Sequence, residues 1–130
     1  MITAVTGVAG LLIVALVLGM VAGMSRHGTL PPNGTIGLRT RATRASDAAW
    51  YAGHRAAARW LKLAVWIALL CAALVMATAI LLPTTSEAGD LPVFVVLLAS
   101  YALLVAGVVV AVRAANRAAR RAHGADLDTR

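Results

Sequence analysis

Three stretches of the chain carry no Asp, Glu, Lys, Arg or His: Ile2 to Met24, Leu63 to Leu82 and Leu91 to Val112. Each reaches the ~20 residues that a helix rising ~1.5 Å per residue needs to cross ~30 Å of hydrocarbon. Lipid offers no partner for backbone amides, so a spanning segment must be a helix or a strand of a closed barrel. None of the stretches alternates apolar and polar residues as a barrel strand does. The pattern therefore predicts an all-α fold, a bundle of three transmembrane helices forming one membrane domain.

Between the first two spans the character changes twice. Gly28, Pro31, Pro32, Gly34 and Gly37 punctuate the stretch from Arg26 to Thr43, which predicts turns and not a helix. Ser46 or Asp47 then supplies an oxygen to cap a new helix, and no breaker follows until Pro83. A helix from Asp47 to Leu82 would be about 54 Å long, so its first turns must leave the hydrocarbon as an interfacial cytoplasmic segment. There Arg55, Arg59 and Lys62 share one face and Trp50, His54, Ala57, Ala58 and Leu61 another. Trp60 and Trp66 sit where an indole is stable at headgroup level, with Tyr101 deeper in the third span. The organisation expected is thus spans at 2–24, 63–82 and 91–112, a motif loop at 25–62, and a basic helix and tail at 113–130 that frays from Gly124. Small residues recur every four positions along Ala15, Gly19 and Gly23, along Ala64, Ala68 and Ala72, and along Gly107, Ala111 and Ala115. Such stripes let helix backbones approach closely.

Composition fits this picture: 61% of the 130 residues are hydrophobic and 13% charged, with mean hydropathy +0.84. The net charge of +7 would attract phosphates of any kind, and in a membrane chain those belong to anionic lipids of the inner leaflet rather than to nucleic acid. All twelve Lys and Arg lie either between the first two spans, from Arg26 to Lys62, or after the third, from Arg113 to Arg130. The short link from Pro83 to Asp90 carries only Glu87 and Asp90. By the positive-inside rule that link and the N-terminus are external, and the loop and C-terminus cytoplasmic. Arg26 follows the first apolar core instead of preceding it, so the first span reads as a retained helix and not as a signal peptide.

Candidate chemistry is sparse. Cys71 lies alone in an apolar run, where a thiol behaves as a small hydrophobe. His27, His54 and His123 are too scattered for a metal site, and no cofactor motif occurs. No nucleophile, base and electrostatic partner fall together, so no catalytic residue is assigned. Thr3, Thr6, Thr78 and Ser100 are the few polar groups at membrane depth, against the usual make-up of a carrier.

The loop carries a pattern: Pro32, Asn33, Ile36, Gly37, Leu38, Arg39 and Thr40, then Thr43, Asp47, Trp50, His54 and Arg55. This resembles the signature of the SdpI family of bacterial membrane proteins, read as Asn, two variable residues, Ile-Gly-hydrophobic-Arg-Thr and then Trp. The resemblance implies an immunity-like protein of the bacterial cytoplasmic (inner) membrane that recognises a membrane-active peptide toxin or a signalling partner, and the chemistry of the loop residues themselves adds a lipid headgroup as a third candidate. The residues expected to do so in the loop are Asn33, Gly37, Arg39, Thr40, Trp50 and Arg55, with Arg59, Lys62, Arg113 and Arg117 meeting lipid headgroups. Read from its chemistry alone, Arg39 is suited to a bidentate contact with a phosphate or carboxylate. The competing reading has Arg39 pair with Asp47 or cap helix-end carbonyls while Asn33 and Trp50 merely fold the loop onto the bundle. A second class of function is also compatible with the Gly and Ala stripes, that of a structural or accessory subunit in a larger membrane complex or a homo-oligomer.

Overall fold

The computed structural model describes residues 1–32, 35–82 and 90–128, which form three helices: α1 (Ile2–His27), α2 (Asp47–Leu81) and α3 (Leu91–Asp128). All three are long and apolar enough to cross a membrane, and each contains one of the charge-free stretches, α2 all but its last residue, Leu82. Asn33, Gly34 and Glu87 lie outside the described residues.

The helix ends follow local chemistry. α1 continues past the last apolar residue until Gly28, whose left-handed backbone (φ 68°, ψ 16°) ends it as the Gly28 and Thr29 amides turn back to the Met24 carbonyl. Ser46 caps α2, its hydroxyl accepting the Ala49 amide at 3.1 Å. α2 then runs unbroken for 35 residues, about 52 Å, so its first four turns project beyond the bilayer. α3 does not fray at Gly124 but stays helical to Asp128. Ala118, Ala119, Ala122 and Ala125 are strong helix formers around that glycine, whose cost of about 1 kcal/mol they outweigh.

α2 is the central helix. It packs along both neighbours, whereas α1 and α3 touch each other sparingly. The alanine stripe explains this: Ala64, Ala68 and Ala72 are all buried, and a Cβ placed on Gly107 of α3 would lie 3.5 Å from that of Ala64. Ala111 and Ala115 continue the α3 contact and are fully buried. On α1 the stripe divides, with Ala15 buried against α2 and Gly23 turned outward. Leu11, Val75 and Leu104 fill the core at membrane depth, and Ala57, Leu61 and Ala22 extend it toward the basic end. At the opposite end Thr3 donates a 2.6 Å hydrogen bond to Asp90, tying α1 to the start of α3. Leu16, Leu70, Leu98 and Trp66 point outward, as side chains facing lipid should.

Candidate functional site

All the described Lys and Arg side chains gather at one end of the bundle, where the loop joining α1 to α2 folds against α2 and α3. The apolar face of the projecting part of α2 is covered by protein. Trp50, Gly53, His54, Ala57 and Ala58 are buried there.

Trp50 and His54, one helical turn apart, grip the loop. The Trp50 indole N–H donates to the Leu30 carbonyl at 2.9 Å, and His54 Nε2 accepts the Leu38 amide at 2.8 Å. His54 Nδ1 lies 2.9 Å from the Trp50 carbonyl, so the proton sits on Nδ1 and the ring is neutral. The two rings lie 4.2 Å apart between centroids. Gly37 passes directly over them with φ 117°, a backbone conformation that disfavours side chains. A second knot ties the loop to α3. Thr43, fully buried, accepts the Thr40 amide at 3.0 Å and donates to the Leu38 carbonyl, while the Thr40 hydroxyl donates to Asn116 of α3.

Burial holds the His54 imidazole below its ordinary value of 6.5, partly opposed by its bond to the Trp50 carbonyl. A released loop leaves His54 free to protonate at its ordinary pKa, whereas the seated loop needs Nε2 as an acceptor. Seating is therefore fully favoured above about pH 6.5 and declines as pH falls through that value toward the lower pKa of the seated state. Hydrogen exchange at the Leu38 amide, corrected for intrinsic rate, is expected to lose protection between pH 7.5 and 5.5. Constant protection over that range would contradict the assignment.

The arginines of α2 and α3 meet beside this knot. A groove of about 640 Å³ is lined by Arg55, Arg59 and Trp60 of α2 and by Arg113, Arg117 and Arg121 of α3, with small Ala56, Ala114 and Ala118 among its walls. None of the described residues lining it is a carboxylate. Like charges one helical turn apart repel, so such a row is stabilised by an anion laid along it. The Arg59 guanidinium lies 5.2 Å from the Trp60 ring centroid, and the Trp60 indole N–H has no acceptor among the described residues.

The expected loop residues thus separate. Gly37, Thr40 and Trp50 are engaged inside the protein. Arg39 is exposed beside Pro32, Arg44, Asp47 and Trp50 in a different cleft from Arg55, and no described carboxylate lies within ion-pair distance of it, Asp47 included. Arg55 and Arg59 join Arg113 and Arg117 in the groove, and Lys62 instead faces α1 with Arg26 and His27. Arg120 turns away from the other α3 arginines to a cleft with Arg41 and His123. Sequence reasoning overlooked Asn116 and Gly53. The signal available for Asn116 was a lone amide in an Ala- and Arg-rich helix, where Asn is a poor helix former.

Among known proteins, no curated protein and no solved structure matches the chain. Among protein families, residues 29–116, which run from the loop through α2 to Asn116, match the SdpI/YfhL protein family. With two thirds of its length covered by that match, including the loop motif and the helices that clamp it, the chain belongs to the SdpI/YfhL family.

Proposed function

We propose that this chain is a non-enzymatic protein of the bacterial cytoplasmic membrane that docks an acidic segment of a signalling partner in the arginine groove between α2 and α3. The family loop motif acts as the clamp that holds the groove in shape. The N-terminus lies outside, and the groove and C-terminus face the cytoplasm, following the positive-inside rule. The observation that carries the reading is the five arginines from two helices facing one groove without an acid among its described neighbours.

The spacing favours an extended polyanion over a single phosphate. Arg113, Arg117 and Arg121 recur every four residues, about 6 Å along the axis, and Arg55 and Arg59 repeat the interval on α2. Alternate residues of an extended peptide are about 6.6 Å apart, so carboxylates at every second position meet successive arginines.

The test uses the whole chain in nanodiscs of zwitterionic lipid and a fluorescent peptide with Glu at alternate positions. Arg117→Gln is expected to weaken binding about tenfold and the triple change of Arg113, Arg117 and Arg121 to Gln to remove it, with affinity falling steeply with salt. Arg39→Gln, outside the groove, should bind as the parent does. Equal binding by parent and triple variant would overturn the proposal, as would inorganic phosphate competing as well as the peptide.

A further inference from the structure

A second basic groove lies on the other flank of α2, against α1, and it continues into the membrane. Its outer part, about 490 Å³, presents Arg26 of α1 and Arg55, Arg59 and Lys62 of α2. Its inner part, about 580 Å³, is lined by Leu12, Leu16 and Met20 of α1 and Val65 and Leu69 of α2. Gly19 borders both parts, so cationic collar and apolar trough meet at that residue. Gly23 borders the collar, and a Cβ there would meet no atom of the described residues within 4 Å.

We infer that this groove is a binding site for a lipid carrying two phosphates, of the cardiolipin class. Three properties of the groove fix the chemistry. From Gly23 to Leu12 the α1 helix rises about 17 Å, close to the ~15 Å depth of one leaflet, so a hydrocarbon chain in the trough reaches the bilayer midplane. Four formal cations around the collar exceed the single charge of an ordinary anionic glycerolipid and offer two cations to each phosphate of a headgroup with two phosphodiesters. The trough is apolar along its length, which suits an acyl chain and excludes an acidic peptide. Arg55 and Arg59 border both grooves, whereas Arg26 and Lys62 belong to this one alone.

The whole chain, extracted in mild detergent, is titrated with cardiolipin, phosphatidylglycerol, phosphatidylcholine or the deacylated cardiolipin headgroup, and bound lipid is counted by native mass spectrometry. Cardiolipin is expected to bind at least tenfold more tightly than phosphatidylglycerol, with no retention of phosphatidylcholine. The double change Arg26→Gln and Lys62→Gln should remove that preference. Gly19→Leu with Gly23→Leu fills the junction with good helix formers and should cut cardiolipin binding at least tenfold while helix content is unchanged. The acidic-peptide test, read on Arg113, Arg117 and Arg121, is unaffected by these changes, so either proposal fails separately. Equal retention of zwitterionic lipid, undiminished cardiolipin binding in the leucine variant, or binding of the bare headgroup as tight as the lipid would overturn the inference.

Discussion

Replacing Gly37 by alanine is expected to unseat the loop from α2 while leaving the three helices in place. At φ 117° an L side chain is strained, and the new Cβ would stand 2.6 Å from His54 Nε2 and 3.2 Å from both Leu30 Cδ2 and the Trp50 ring. His54 cannot retreat, because its other nitrogen is held by the Trp50 carbonyl and it is itself 1% exposed. Backbone strain of this kind costs roughly 1–3 kcal/mol, and losing the bond from the Leu38 amide to a buried acceptor adds about 1 kcal/mol or more. A total of at least about 2 kcal/mol corresponds to a roughly 30-fold rise in the released population. Trypsin reports it directly, since Arg39, Arg41 and Arg44 are exposed sites within the loop. Cleavage there should accelerate by that factor in Gly37→Ala. Gly28→Ala provides the contrast, because Gly28 also has positive φ but a Cβ there meets no atom of the described residues within 4 Å, and its effect should be several-fold smaller.

Gly53→Leu is expected to do the larger damage. A Cβ at this position would lie 2.9 Å from Thr43 Cγ2, 3.2 Å from the Ala115 carbonyl oxygen and 3.4 Å from the Ala119 Cβ. One of those neighbours is backbone, and Thr43 is pinned by its bonds to Thr40 and Leu38. Neither can yield without moving α3 or releasing the loop. A better helix former recovers about 1 kcal/mol, but overpacking of a close helix contact costs roughly 1–3 kcal/mol, and a full leucine here sits at or beyond the top of that range. The expected result is a lower thermal midpoint in detergent together with loss of acidic-peptide binding, because Arg55 and Arg59 are carried away from Arg113 and Arg117. A variant that binds peptide normally at an unchanged midpoint would show that the α2–α3 contact does not shape the groove.

The membrane-spanning part of this fold was legible because hydrocarbon leaves few choices. Charge-free stretches of sufficient length must become helices, and Ser46 announces the start of α2 by its capping oxygen. The loop motif was legible as a pattern but not as a clamp. That Trp50 and His54 grip Leu30 and Leu38 depends on how the turns of residues 29–43 fold back onto α2, which no local periodicity encodes. The Thr40–Asn116 bond joins residues 76 apart in sequence and depends on how α3 crosses α2. The same crossing decides which arginines share a groove. Helical spacing groups Arg113, Arg117 and Arg121, yet only the rotation of α3 about its axis turns them toward Arg55 and Arg59 and leaves Arg120 on another side. The persistence of α3 beyond Gly124 was hidden by a breaker residue that its alanine neighbours overrule.

The docking claim is tested most directly by where an acidic peptide shields the protein. Cys71, the single cysteine, is buried at membrane depth, so a thiol introduced at Ala118 in the groove or at Ala48 on the exposed first turn of α2 is the site a soluble maleimide reaches. Labelling rates are then measured in nanodiscs with and without the alternating-Glu peptide. The peptide should slow labelling of Ala118→Cys at least tenfold and leave Ala48→Cys unchanged. Equal rates at Ala118→Cys with and without bound peptide would mean that the acidic segment lies elsewhere, and the groove would lose its role.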